Sequence, residues 1–323
     1  MEFEQAKKII EKSKSIYIVA HINPDGDAIG STYGMYFALK SLGKDVHVIM
    51  PEYSETFSFL PEIKKICEKE VYVEEYDLLV ALDSSDKSRL AISEESFNRA
   101  KNVIMLDHHQ ISTPYGDVRY INDKMSSASE VVFNFIKYLG IKMNSNMATY
   151  IYTGIMTDTG SFNYSNTSPD THRAVAELIE AGADHVNVCK KINDTIREEK
   201  LRLVAKTIDN MEVYLDGKLR YSLVDYNTIN SLGLNEEDAE GMANYMRMVK
   251  GTEVGIYIRE KKDGTYKVSM RSNGKVDISK IAILNGGGGH PRAAGFTIYE
   301  NLEKVKDEVI NAVEVMLEDD TTY

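Results

Sequence analysis

The first half of the chain carries short, nearly unbroken apolar runs separated by longer amphipathic stretches. This spacing restricts the fold more than any other feature. Residues 16–20 (IYIVA), 46–50 (VHVIM), 78–82 (LLVAL) and 103–106 (VIML) are each the length of one strand. Continuous apolarity over that length is what a strand buried on both faces requires. A helix is expected over about residues 27–42, where Gly43 can end it. Ser127-Ala128-Ser129-Glu130 has capping-box spacing and opens a helix that Gly140 can close. Ser168 and Pro169, ahead of residues 171–181 and Gly182, mark another helix, with serine at the cap and proline in the first turn. Strands alternating with helices point to an α/β fold on a doubly wound parallel sheet.

The pattern changes after about residue 186. Residues 197–211 read as a helix leading into a second region, where Leu215-Asp216-Gly217-Lys218 and Lys262-Asp263-Gly264-Thr265 are hairpin signals. A helical stretch is expected between them over about residues 236–249. Another is expected over 277–284, running into four glycines at 286–289. Residues 302–317 form a closing amphipathic helix, with Glu318-Asp319-Asp320 starting a frayed tail. The expected organisation is an N-terminal α/β domain over residues 1–186, a linker over 187–200 and a smaller α+β domain over 201–323.

Charge narrows the function. The chain has 38 Lys+Arg against 50 Asp+Glu, a formal net charge of −12. A protein that wraps long nucleic acid draws affinity from neutralised phosphates and shows a basic surface. A long-polymer partner is therefore not expected, whereas a small phosphorylated ligand held by a few local cations is compatible with this balance. No apolar run approaches the ~18 residues of a membrane span, so no membrane partner is expected. Cys67 and Cys189 cannot form a disulfide framework and have no partner at metal-ligand spacing, which fits a reducing cytoplasm. No Walker or Rossmann glycine motif is present, which disfavours ATP- or NAD-dependent chemistry.

Four acidic or histidine clusters fall just past an expected strand or at a helix–loop junction. His21-Ile22-Asn23-Pro24-Asp25-Gly26-Asp27 follows the first strand, Asp83 the third and Asp107-His108-His109 the fourth, while Asp158 follows a helical segment. In an open parallel sheet, ligands bind beyond the carboxyl ends of the strands, so such clusters can converge. Singly, each has a plain explanation: Asn-Pro-Asp-Gly is a good turn, and Asp83 or Asp158 could cap a helix. Together they form a problem that a cation solves. Two carboxylates 4 Å apart repel by about 4 kcal/mol at an effective dielectric of 20. Asp25, Asp27, Asp83 and Asp158 supply enough charge to balance two divalent ions, and His21 and His108 add neutral donors. Mixed carboxylate and imidazole ligation suits Mn²⁺, Fe²⁺ or Co²⁺ better than Mg²⁺.

The segment His21-Ile22-Asn23-Pro24-Asp25-Gly26-Asp27-Ala28-Ile29-Gly30-Ser31, with Asp107-His108-His109, resembles the DHH phosphoesterase superfamily. Arg271-Ser272-Asn273 and Gly286-Gly287-Gly288-Gly289-His290-Pro291-Arg292-Ala293-Ala294-Gly295 resemble its DHHA1 substrate domain. The resemblance spans essentially the whole chain. In size and arrangement it is nearest to the stand-alone nano-RNase/pAp-phosphatase subgroup. That subgroup degrades very short oligonucleotides and removes the 3′-phosphate of adenosine 3′,5′-bisphosphate (pAp). The resemblance implies one Mn²⁺ on His21, Asp25 and Asp83, and a second on Asp27, Asp83, His108 and Asp158, with Asp83 bridging. It implies catalytic roles for Asp83, His109 and Asp107, with His109 facing the scissile phosphate and Asp107 orienting a histidine. It also implies substrate contacts from His109, Arg271, Ser272, Asn273, Gly287, Gly288, Gly289, His290 and Arg292.

The expected function is a Mn²⁺-dependent phosphoesterase that hydrolyses short oligonucleotides to 5′-mononucleotides and dephosphorylates pAp. A phosphodiesterase for linear or cyclic dinucleotides such as pApA or cyclic di-AMP is the nearest alternative. A catalytically silent nucleotide sensor is the alternative of another class. Oligomeric state stays open, a homodimer included. His47, His172 and His185 carry no ligand pattern and read as ordinary structural residues, His185 near the far end of the helix over 171–181. The 20 tyrosines include candidates for base stacking such as Tyr115, Tyr245 and Tyr257, while most are expected to be structural.

Overall fold

A computed structural model of the chain describes residues 2–71, 73–109, 113, 115–235, 238–299 and 302–319. Its contacts divide into two compact units, Met1–Thr195 and Ile196–Tyr323.

In the first unit the apolar runs become β1 (Ser15–Val19), β2 (Asp45–Ile49), β4 (Leu78–Leu82) and β5 (Val103–Asp107), joined by a two-residue β3 (Cys67–Glu68) and by β6 (Val118–Ile121). All five pairings are parallel, in the order β3-β2-β1-β4-β5-β6. The chain lays strands outward on one side of β1 and then returns to start again at β4 on the other. The segments leaving β1 and β4 therefore diverge, and a crevice opens between them at the carboxyl edge. Every residue of β4 and β5 is buried, as continuous apolarity requires.

The helices of this unit are α1 (Glu2–Lys12), α2 (Gly26–Ser41), the short α3 (Ile63–Ile66) and α4 (Glu94–Asn98), α5 (Ala128–Tyr138), α6 (Ser145–Asp158), α7 (Pro169–Glu180) and α8 (His185–Asn193). Ser168 caps α7 in a full capping box, with Thr171 as the reciprocal partner. At α5 only half of the expected box forms. Ser127 Oγ accepts from Glu130 N at 3.0 Å, but the Glu130 carboxylate turns to Ser126, taking its N–H at 2.9 Å and its hydroxyl at 2.5 Å. Helix α2 is buried along most of its length and packs on α6 at glycine: a Cβ on Gly30 would lie 2.6 Å from Tyr150 O and 2.7 Å from Gly154 N. His185 opens α8 rather than closing α7.

The second unit comprises α9 (Glu198–Asp209), β7 (Glu212–Tyr214), β8 (Leu219–Val224), α10 (Tyr226–Ser231), α11 (Met242–Met248), β9 (Val254–Glu260), β10 (Tyr266–Ser272), α12 (Ile278–Leu284), β11 (Gly288–His290), β12 (Ala293–Ile298) and α13 (Leu302–Asp319). Its sheet runs β11-β12-β10-β9-β8-β7, antiparallel except for the β8–β9 pair. Side chains alternate along β9. Ile256 and Ile258 join the core shared with α12 and α13, and Tyr257 joins the one under α9–α11. Both hairpin signals lie at turns between antiparallel strands.

Two expectations need correction here, and one helix was not anticipated. The stretch expected as a helix over 236–249 is helical only from Met242, because Gly241 sits in the left-handed region at φ +86° and starts the helix afresh; residues 236 and 237 lie outside the described residues. Helix α10, capped by Asp225 Oδ1 on Thr228 N at 2.8 Å, was not expected. The closing helix continues through Asp319, beyond the expected fraying point; Asp320 lies outside the described residues. Helices α8 and α9 occupy much of the stretch read as a linker. Among the described residues, no helix is long and apolar enough to cross a membrane.

Candidate metal centre

The loop after β1 makes its turn at Asn-Pro-Asp-Gly and enters α2 with Asp25 as the cap, whose Oδ1 accepts from Asp27 N and Ala28 N, each at 3.0 Å. Asp25 thus has a structural role, as a cap as well as a turn residue, and it coexists with a place beside His21. Asp27, in the first turn of α2, is buried, and both its oxygens are held by the amino end of α5. Oδ2 accepts from Ala128 N at 2.7 Å and Oδ1 from Ser129 N at 2.8 Å. Asp83, one residue past β4, has φ +52°, a conformation few non-glycine residues adopt and one that often marks function. Asp107 ends β5 fully buried, its Oδ1 accepting from His108 N at 2.7 Å and from the His109 ring Nδ1 at 2.9 Å. Because a carboxylate oxygen accepts, Nδ1 carries the proton and Nε2 of His109 is left for another partner. Asp158 ends α6, at the negative pole of that helix.

The four clusters meet at the crevice. His21 Nε2 lies 3.6 Å from Asp83 Oδ2 and 3.9 Å from Asp25 Oδ1. His108 Nε2 lies 3.7 Å from Asp83 Oδ1, 3.8 Å from Asp27 Oδ2 and 3.8 Å from Asp158 Oδ2. His109 Nδ1 is 3.6 Å from Asp83 Oδ1. His109 Nδ1 is already committed to Asp107, whereas the His21 and His108 separations are too long for hydrogen bonds, which close at about 2.7–3.2 Å. They suit donors that share an ion at bonds of about 2.0–2.2 Å. The sets His21–Asp25–Asp83, Asp27–His108–Asp158 and Asp83–Asp107–His108–His109 each keep their donor atoms within 4.8 Å. Asp83 Oδ1 is buried without a hydrogen-bond partner among the described residues, a costly state for a carboxylate unless a cation or proton completes it. The donor set fits divalent ions.

Electrostatics agree. Burial, then the charges of Asp27, Asp25, Asp107 and Asp158, push Asp83 well above the ordinary carboxylate range. Burial, then Asp27 and Asp25, push Asp158 up to about 8. Asp27 is raised by burial, with His108 pulling it back. His21 is lowered by burial, which favours the neutral ring a metal needs. His109 is raised, mainly by its hydrogen bond to Asp107.

In the second unit, Arg271 lies in β10 and donates to Met270 O at 2.9 Å. Ser272 and Asn273 spend their polar atoms within the unit. Ser272 Oγ accepts from Gly274 N at 3.0 Å, while Asn273 donates to Thr252 O at 2.7 Å and accepts from Arg247 Nη1 at 2.8 Å. The glycine run is neither a loose linker nor uniformly open. Gly288, Gly289 and His290 pair with β12. A Cβ on Gly287 would collide with Gly295 O, and one on Gly289 would lie 2.5 Å from Ala293 O, whereas one on Gly288 meets only open space. His290 and Arg292 are exposed, and the Arg292 guanidinium rests against Gly274.

Two of the three stacking candidates are corrected: Tyr115 and Tyr257 are buried, Tyr115 donating to Ser84 O at 3.0 Å. Tyr245 is half-buried. Sequence reasoning missed the backbone N–H groups of Ala128 and Ser129, which carry no residue-type signal, and missed Asn166. The capping signal at Ser127 marked the helix end that holds Asp27 without showing what it holds.

The chain matches the DHH family, N-terminal domain, over residues 15–155 and the DHHA1 domain over residues 218–318. It is 33% identical over 300 residues to the bifunctional oligoribonuclease and PAP phosphatase NrnA of Thermus thermophilus, covering 92% of this chain and 89% of that protein. It is 26% identical to the cyclic-di-AMP phosphodiesterase GdpP of Bacillus subtilis, covering 94% of this chain and about half, 48%, of that protein. An exopolyphosphatase-related protein from Bacteroides fragilis has a similar structure, with a TM-score of 0.89 and 29% identity over 97% of this chain and 95% of that one. With both domains in this order and a full-length relative at this identity, the chain belongs to the DHH–DHHA1 phosphoesterase family, on its NrnA-like branch.

Proposed function

We propose that the chain is a Mn²⁺-dependent phosphoesterase that hydrolyses short oligonucleotides to 5′-mononucleotides and removes the 3′-phosphate of pAp. The observation that carries this reading is Asp83, which offers Oδ2 to the His21 side and Oδ1 to the His108 side. In this reading His21, Asp25 and Asp83 hold one ion. Asp27, Asp83, His108 and Asp158 hold the other. When bound, such a pair supplies positive charge at the phosphoryl oxygens and an acidified water for in-line attack.

The chain's own residues do the rest. Asp107 fixes the tautomer and direction of His109, so that Nε2 faces outward toward a substrate oxygen. Its raised pKa favours imidazolium, which stabilises charge developing on phosphate. Arg271, His290 and Arg292 supply further positive or polar contacts for an anionic substrate, and Gly288 offers backbone approach where a side chain would stand. Ser272 and Asn273 build the turn that follows Arg271. The acidic balance favours small phosphoesters over long strands, and the free thiols Cys67 and Cys189 suit the cytoplasm.

The similarity to a cyclic-di-AMP phosphodiesterase supports dinucleotides as a second substrate class. The test is a product-resolved assay with Mn²⁺ on oligonucleotides of two to about twenty-four nucleotides, alongside pAp, pApA and cyclic di-AMP. Rates that fall beyond about five nucleotides, with pAp turned over, are expected. Preference for long strands overturns the reading, and preference for cyclic di-AMP selects the alternative. Mn²⁺ binding without turnover of any substrate would leave a sensor.

A further inference from the structure

Asp27 and Asp158 reach the same donor set from α2 and α6, helices that pack on each other at Gly26, Gly30 and Gly154, and a side-chain tether adds to that packing at the Asp158 end of α6. Asp27 is held by Ala128 N and Ser129 N at the start of α5. Two residues earlier, Ser126 O accepts from Asn166 Nδ2 at 2.9 Å. The same nitrogen donates to the carbonyl of Asp158 itself at 3.2 Å. Both partners are carbonyls, which only accept, so the amide orientation is set and both N–H bonds are used. Ser126 is fully buried and locked to Glu130, whose Oε2 also accepts from Thr171 Oγ1 at 3.0 Å. The segment from Asn166 to Thr171 thus touches the start of α5 twice, and only Asn166 also touches Asp158.

We propose that Asn166 is a positioning residue: its amide sets the separation of Asp27 and Asp158, and with it the affinity of the Asp27–His108–Asp158 ion site, leaving the His21–Asp25–Asp83 site alone. This rests on the two-ion reading above. Groups that orient metal ligands typically change affinity by 10–100-fold when lost. In Asn166→Asp both donated bonds vanish and an acceptor faces two carbonyls. In Asn166→Ala they are simply lost. Thr171→Val breaks the neighbouring anchor without reaching Asp158.

The experiment titrates the metal-free full chain with Mn²⁺ alone, by calorimetry and by the electron paramagnetic resonance of free Mn²⁺, with melting temperature in EDTA as the measure of folding. One Mn²⁺ unchanged and the other weakened 10–100-fold in both Asn166 variants, with Thr171→Val binding both normally, is the expected result. Should Asn166→Asp fail to fold, Asn166→Ser keeps one donor and is expected to lose less affinity than Asn166→Ala. Wild-type binding at both sites in the Asn166 variants overturns the inference alone. Equal weakening in Thr171→Val also overturns it, by reducing the tether to general stability. Wild-type protein that binds no Mn²⁺ sinks the two-ion reading itself, and the inference with it.

Discussion

Asp83→Asn separates a metal-binding role from a structural one by sign. Asn adopts the left-handed backbone more readily than most residues, so the φ of +52° at this position does not penalise the substitution as Ala would be penalised. The carboxylates of Asp25 and Asp107 share donor sets with Asp83 in which all ligand atoms lie within 4.8 Å. At that distance each ionised pair repels by about 3.5 kcal/mol at an effective dielectric of 20. The metal-free protein relieves part of this by protonation, since Asp83 is raised by burial and by its acidic neighbours. At pH 8.5 we therefore expect Asp83→Asn to stabilise the metal-free chain by about 1–3 kcal/mol, or roughly 2–10 °C in melting temperature. With Mn²⁺ the order reverses. A ligand at a thousand times its Kd adds about 4 kcal/mol to the wild type, and the variant should forfeit most of that. The assay is thermal unfolding by circular dichroism in EDTA and in saturating Mn²⁺, with phosphate release from pAp measured in parallel. An Asn variant less stable than wild type in EDTA, or one that keeps the full Mn²⁺-induced shift, refutes the reasoning.

Asp158 also fixes the pH response. Its folded pKa of about 8 lies above its unfolded value, so the stability it contributes is full below about pH 4 and is lost as pH rises through 8. Melting temperature in EDTA should fall between pH 5 and 8.5, whereas Mn²⁺, competing better as protons leave, should flatten or invert the slope; a rising curve in EDTA contradicts this. Gly154→Ala would drive a Cβ into Ser129 Oγ and to 2.9 Å from Asp27 Oδ1. Calorimetry should show a loss of about 1–3 kcal/mol together with weaker Mn²⁺ binding. His109→Ala should keep its Mn²⁺ content by atomic absorption while kcat falls by about 10²-fold or more. Gly288→Ala should fold normally but raise KM for pAp, whereas Gly287→Ala, aimed at Gly295 O, should destabilise the second unit in a thermal melt.

What was legible in the sequence is what local chemistry encodes. The run at 78–82 became β4 without a residue's error, because a buried parallel strand must be apolar throughout and little else is. The cap at Ser168 was readable because serine followed by proline is a local helix-start signal, whereas Asp25 was read as a turn residue and proves to be the cap of α2. The contacts that orient the site were not readable. Asp27 is held by backbone N–H groups a hundred residues away, and a peptide group looks alike at every position. The strain at Asp83 arises from its place past β4 and not from its neighbours in sequence. The glycine run shows a mixed case: the family resemblance implied substrate contacts at Gly287, Gly288 and Gly289, but only the β12 pairing shows that Gly287 and Gly289 are small for packing and Gly288 is small toward open space. Tyr115 and Tyr257 misled because tyrosine suits a core and a stacking surface equally well.

The two helix ends at the site divide its electrostatic load unequally. Asp27 sits at the positive end of α5, with two N–H donors on its oxygens, so much of its charge is already met by the protein. Asp158 stands at the negative end of α6, where the helix itself opposes a carboxylate, and burial raises it to about 8. Asp83 has one buried oxygen with no hydrogen-bond partner among the described residues. The unmet charge is therefore heaviest on Asp83 and Asp158, whose oxygens lie 3.7 and 3.8 Å from His108 Nε2. A fold that spent helix dipoles and backbone donors on every carboxylate would be more stable without metal and would bind metal less well. Leaving two of them uncompensated makes the metal-free state the strained one, a strain that a divalent cation at the crevice would relieve.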